Sequence, residues 1–195
     1  MAARYLHIPI GGELHNQEVN TILRRSLHLS GTVLRRIKWL PDGIMVDNQR
    51  VTVRYRVQEG QVLSVRLTDP APTSGTVPTP GPLELVWEDE DVVVVNKPPG
   101  LLVHPSHGHF ADTLGNFLMY HYQQTGQDCD FHPVHRLDKG TSGLLVVAKH
   151  PHAQEQLKQQ LHTDAFQRVY LAVCDGHLPA SSGTVDAPIG AAPDS

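Results

Sequence analysis

The chain has 195 residues, of which 39% are hydrophobic and 18% charged, a balance that supplies a globular core and does not suggest disorder. Its net charge of −4 hides an asymmetry. Residues 21–68 hold nine Lys/Arg (Arg24, Arg25, Arg35, Arg36, Lys38, Arg50, Arg54, Arg56, Arg66) against three acids (Asp42, Asp47, Glu59), a surplus of six positive charges, so the remainder carries −10.

No apolar run approaches the roughly 20 residues that span a bilayer. The opening MAARYLHIPIGGELHN has neither the apolar length nor the cleavage pattern of a signal peptide. Cys129 and Cys174 are isolated in the sequence, with no CxxC spacing, and are expected to be reduced thiols of a cytoplasmic protein. A basic module on an acidic body suits a phosphate-bearing partner, and a solvated charged face explains the composition equally well.

In chain order, Val19, Ile22, Leu23 and Leu27 predict a helix over 18–29. Ser30 can cap a second helix to about Leu40, with Val33, Leu34 and Ile37 on one face and Arg35, Arg36 and Lys38 mostly off it. Short strands are predicted at 44–46, 51–55 and 62–67, with turns at Asp47-Asn48 and Glu59-Gly60. DPAPTSGTVPTPGP, residues 69–82, carries five prolines and reads as a partly extended linker that lets two halves move.

Beyond it, strands are predicted at 83–87 and 92–95 around an acidic turn, with the second run resuming at 101–104 after Asn96-Lys97-Pro98-Pro99-Gly100. Helices follow at 113–122 and 154–161, the latter opened by Pro151. Leu144–Ala148 reads as a buried strand, 167–173 as an alternating strand carrying Tyr170, and 184–189 as the start of another. The plan is α+β, without the βαβ rhythm of a doubly wound sheet. It divides into a module at 1–68, the linker at 69–82 and a second unit at 83–195.

The chemistry is sought by elimination and by residue type. No phosphate-cradling glycine loop and no GxGxxG is present. His104, His107 and His109, and also His132 and His135, lie close in sequence, but without HExxH or paired cysteines they read as loop histidines, and no metal site is expected. Ser142 lacks a GxSxG elbow. HRLDKGTSGLLVVAK, residues 135–149, sets Asp138 between Arg136 and Lys139 on a glycine-rich turn ahead of a strand. A carboxylate kept ionised by cations and aimed by a rigid loop is a competent nucleophile or base. A surface salt bridge at a strand entrance accounts for the same residues.

Three segments carry a family resemblance. HRLDKGTSGLLVVAK resembles the active-site segment of the RluA-type pseudouridine synthases, VVVVNKPPGLLVHP (92–105) their upstream segment, and RVYLAVCDG (168–176) their tyrosine-bearing strand. LSGTVLRRIKWLPDGIMVDNQRV with VQEGQVLSVRL resembles the S4 RNA-binding domain, apart from Gly31, where many such domains carry arginine.

The resemblance implies a mainly antiparallel catalytic domain that isomerises uridine in structured RNA, with no metal or cofactor. Ribosomal RNA is the first expectation and transfer RNA the second, and neither a membrane nor an obligate protein partner is implied. It implies Asp138 as the catalytic carboxylate, with Arg136, Tyr170, Thr141 and Ser142 around the substrate. Arg24, Arg25, Arg35, Arg36 and Lys38 would lie along the RNA backbone. The family's later arginine segment does not occur within these 195 residues, so weak or no activity is expected of them alone. An RNA-binding accessory protein with an incomplete site is the alternative.

Overall fold

The structure, a computed structural model, describes residues 3–68, 74–177, 180–188 and 190. Two four-stranded antiparallel sheets each cover their own apolar core, so the α+β plan stands. The first sheet runs β1 (Tyr5–Pro9), β4 (Val62–Arg66), β2 (Ile44–Val46), β3 (Gln49–Arg50) in spatial order. Asp47 and Asn48, with φ of 49° and 63°, make the two-residue hairpin between β2 and β3, a turn that needs left-handed backbone at both positions.

Helix α1 (Val19–Thr21) passes into a wider π-helical turn over Ile22–Ser26, where Leu27 N–H donates to the Ile22 carbonyl at 3.2 Å, and His28 at φ 51° ends it. This replaces the continuous helix expected over 18–29. Helix α2 (Gly31–Ile37) starts as expected, with the Ser30 hydroxyl accepting from Val33 N–H at 3.2 Å. Val33, Leu34 and Ile37 are buried against Ile22, Leu23, Ile44 and Val65.

The strand expected at 51–55 does not form. Its alternation is real, with Val51, Val53 and Tyr55 half-buried, but its carbonyls are taken: Tyr55 O accepts from Val19 N–H and Val53 O from Asn20 N–H, both at 2.9 Å. These are the orphan donors of a helix N-terminus. The strand β1, absent from the sequence reading, occupies the sheet edge beside β4. Its Ile8-Pro9 end suits an edge, where a missing N–H costs nothing.

The second sheet runs β5 (Leu85–Glu88), β6 (Val92–Lys97), β8 (Gly143–Ala148), β7 (His132–Pro133). On β6, Val93, Val95 and Lys97 face inward, and on β8 Leu145 and Val147 do. Helix α3 (Leu114–Gln124) lays Leu114, Leu118 and Tyr122 on that face. Its start is closed by a capping box between Thr113 and Asn116. The carbonyls of Leu102 and Val103 accept from Leu114 and Gly115 N–H at 2.8 and 3.1 Å, so the run 101–104 serves the helix instead of resuming the strand. The buried Asn116 amide also donates to the carbonyls of Val77 and Phe110, which holds part of the proline-rich segment on α3.

Helix α4 (Pro151–Gln160) has Pro151 in its first turn and His150 as its cap. Residues 167–173 and 184–188 form no strand among the described residues, and Ile189 lies outside them. Val169, Leu171 and Val173 are almost fully exposed, because alternation makes a strand only where a neighbouring edge accepts its hydrogen bonds.

The two halves touch through charge. Arg4 reaches Asp91 at 3.1 Å and Glu90 at 2.8 Å, Ser30 N–H donates to Glu155 at 3.3 Å, and Arg66 lies 3.8 Å from Asp128. Asp91 also accepts from His150 Nε2 at 3.0 Å, while His150 Nδ1 accepts from Ala153 N–H. The ring is therefore neutral, with its proton on Nε2.

Burial holds His150, His152, His104 and His135 below their ordinary 6.5. As pH falls, the unfolded chain takes up those protons first, so this contribution to stability is complete above pH 6.5 and declines as pH drops below it. His150→Asn keeps a capping acceptor and has no proton to gain. Urea unfolding at about pH 7 and about pH 5 will show a shallower loss for this variant than for the parent.

Candidate active site

Leu137 is buried in the second core, and its neighbour Asp138 therefore points outward, exposed on a turn closed by Thr141 N–H to the Asp138 carbonyl at 3.1 Å. Thr141 is half-buried, Ser142 is exposed, and Gly143 at φ 118° turns the chain into β8. A side chain there would be strained whatever the space. The carboxylate is thus carried on a short turn between two anchored points.

The sequence reading missed the residue that fixes this turn. Lys97 ends β6 on its inward face, where the alternation of Val93 and Val95 puts it, and it is fully buried. Its ammonium has three N–H groups and three acceptors: Leu101 O at 2.9 Å, Pro98 O at 3.0 Å and Lys139 O at 3.3 Å. Gly100 N–H donates to the same Lys139 carbonyl at 2.7 Å. The loop after β6 is thereby tied to the loop carrying Asp138. Burial pushes the Lys97 pKa down, and the Asp138 charge opposes that by favouring the ammonium. The signal that could have found it is a lysine at an inward register position.

The other cations do not behave as the sequence suggested. Arg136 and Lys139 form no salt bridge with Asp138. The Arg136 charge falls on His104, whose pKa is lowered by partial burial and then by Arg136 and Lys158, and Lys139 acts on Asp112. Neighbours in sequence on a turn fan outward, while the buried lysine 41 positions earlier comes close in space.

Tyr170 is 58% exposed on a segment that forms no strand among the described residues. Phe166, just before it, packs edge-on against His135 with centroids 5.7 Å apart. The histidines near 104–109 have separate partners: His104 lies edge-on to Phe131, and His109 bonds Asp112 at 2.7 Å. Among the described residues no group of His, Cys, Asp or Glu is placed to hold a metal ion.

The basic residues of the first half are mainly exposed. Arg24 donates to the Leu29 carbonyl and Arg35 to the Thr32 hydroxyl, both at 3.1 Å. Their guanidiniums meet above Gly31, where an added Cβ would lie 3.4 and 3.5 Å from them, so two arginines fill the space over the glycine. Arg25 is exposed beside Arg24, and Lys38 sits 5.0 Å over the Trp39 ring. Arg36 instead lines a 590 Å³ cleft between the halves with Ser30, Asp130, Phe131, Glu155 and Lys158, a cleft to which Asp138 does not contribute.

The Asp138 carboxylate is thus presented on a turn pinned by a buried lysine. Residues 91–194 match the RNA pseudouridylate synthase family, and the chain belongs to that family. It is 37% identical over 169 residues to the uncharacterized RNA pseudouridine synthase YjbO of Bacillus subtilis, covering 87% of this chain and 60% of that protein. It is 38% identical over 160 residues to ribosomal large subunit pseudouridine synthase D of Neisseria meningitidis serogroup B, covering 82% of this chain and 42% of the relative. The solved human RNA pseudouridylate synthase domain containing 4 is 29% identical over 40% of this chain and 29% of its own, with a TM-score of 0.34. The chain therefore spans 60% or less of these relatives.

Lys97→Met removes three donors at once. It should cost on the order of 3 kcal/mol, and it should speed amide exchange at Gly100 and Thr141 well above the change at the sheet centre, as measured by hydrogen exchange with mass or NMR detection.

Proposed function

We propose that this chain isomerises specific uridines to pseudouridine in structured RNA, ribosomal RNA first, with Asp138 as the catalytic carboxylate. The observation that carries the reading is Asp138 exposed on a turn that Lys97 locks to the neighbouring loop. Family membership and a relative named for the large ribosomal subunit support it.

In this reading the target uridine is extruded from the RNA, which costs a few kcal/mol. Asp138 attacks ribose C1′ or C6 of the base, or assists departure of the uracil anion. The C1′–N1 bond breaks, the base turns, C1′ bonds to C5 as any bond to Asp138 is released, and the C5 proton leaves while N1 takes one up. Arg136 fills the place of the everted nucleotide or meets its phosphate, Tyr170 stacks on the base near C5, and Thr141 and Ser142 shape the turn. The reaction needs neither metal nor cofactor.

Residues 1–68, resembling an S4 domain, form the RNA-binding module ahead of the segment 69–82 and the synthase unit 83–195. Arg24, Arg25, Arg35, Arg36 and Lys38 contact phosphates. The reaction takes place in the cytoplasm, where ribosomal RNA and free thiols at Cys129 and Cys174 coexist. Among the described residues no helix is long and apolar enough to cross a membrane.

A second reading, an RNA-binding accessory protein with an inactive site, is favoured by one observation: Tyr170 is 58% exposed on a segment that forms no strand among the described residues. The two separate in one assay. Transcribed ribosomal RNA is incubated with the chain and with Asp138→Ala, and pseudouridine is mapped by chemical labelling. The synthase reading expects weak labelling at one or a few uridines that falls to background in the variant. Equal labelling by both removes Asp138 from the mechanism, and binding without labelling by either leaves the accessory role.

A further inference from the structure

We infer that Trp39 is a stacking platform for an unpaired nucleobase, flanked by phosphate contacts from Arg35 and Lys38. The inference rests on the RNA-acting reading of the first half. Trp39 is 73% exposed in a half whose core residues are at most 8% exposed, so a large apolar ring is held in water beside a well-packed core.

The ring does not hang from a loose loop. Leu40 N–H donates to Ile37 O at 3.0 Å and Gly43 N–H to Leu40 O at 3.3 Å. The backbone closes so tightly there that a Cβ on Gly43 would collide with the Ile37 carbonyl oxygen.

Position along α2 supplies the partner. Thr32, Arg35 and Trp39 fall at i, i+3 and i+7, one line along the helix and its following turn, opposite the buried Leu34 and Ile37. At one end of that line the Arg24 and Arg35 guanidiniums converge over Gly31, and at the other Lys38 lies 5.0 Å from the indole centroid. Trp39 follows Arg35 by four residues, the last two in the turn that continues from α2, and at helical rise this is about 6 Å along the axis, within the span of one nucleotide.

A protein-docking face would need contiguous apolar area, and the ring's neighbours on this line are cationic. A π-face among cations fits a base stacked on the indole with its phosphates on the flanking side chains. A paired base has no free face to offer, so the ligand is single-stranded.

Trp39 and Trp87 are the two tryptophans, so Trp87→Phe leaves Trp39 as the sole indole fluorophore. The chain carrying that change is titrated with a 12-nucleotide unstructured RNA of mixed sequence and with the same sequence as a duplex. The single strand should quench Trp39 emission and the duplex should not. Trp39→Ala should weaken single-strand binding about 5- to 150-fold, the range for one stacked base, and Trp39→Phe should retain part of it. The salt slope should be unchanged in Trp39→Ala but fall by about 0.7 in Arg35→Ala.

Unchanged emission at saturating RNA, equal quenching by the duplex, or parental affinity in Trp39→Ala while Arg35→Ala binds weakly would each overturn the stacking and leave RNA binding intact. No binding by any variant, the parent included, would overturn both.

Discussion

A buried ammonium group has to be satisfied completely or it unfolds what surrounds it, and at Lys97 that requirement organises the site. Moving an unpaired ammonium out of water costs several kcal/mol even after relaxation. Three charge-assisted hydrogen bonds, each contributing roughly 1.5–3 kcal/mol, offset that cost, but only if the carbonyls of Pro98, Leu101 and Lys139 converge on one point. The acceptors come from two loops more than thirty residues apart, so neither loop can shift without stranding a proton. Asp138, one residue before Lys139, inherits that rigidity. Its charge in turn helps Lys97 keep the third hydrogen. Position and ionisation are thus coupled through one side chain.

Charge works differently where the halves meet. The acidic stretch from the end of β5 to Asp91 is used on both sides: Glu88 takes Lys149 at 2.7 Å and His121 at 2.9 Å, and Asp91 takes Arg4 and His150. Against burial, which would raise them, these hydrogen bonds hold both carboxyls below their ordinary values. The surplus positive charge of the first half is thereby only partly spent on the second. Arg24, Arg25 and Arg35 face outward, where a polyanion can reach them.

Several readings from the sequence were correct in pattern and wrong in outcome, and the reason is shared. At 51–55 an apolar alternation is present and at 101–104 an apolar run, yet the carbonyls accept from the first turns of α1 and α3. A pattern reports which side chains face inward and not where the backbone hydrogen bonds go. At 167–173 the alternation is equally good and the segment stays unpaired. The edge strand β1 and the two-residue β7 offer too little periodicity to be seen. By contrast the Ser30 cap, the Asp47-Asn48 turn and the valine run of β6 were legible, because each depends on residues within about four positions of one another.

The sequence by itself determined the α+β class, the two-part charge distribution, the Ser30 cap and the family, all of which are local patterns or ordered strings of residues. It singled out Asp138 but attributed its electrostatics to Arg136 and Lys139, the adjacent cations. Only the tertiary structure decided that Lys97 ties the Asp138 turn to the neighbouring loop, that Arg24 and Arg35 close over Gly31, and that Tyr170 lies exposed. Each of those depends on distance through space. A strand's register and a turn's direction set that distance, and separation along the chain does not.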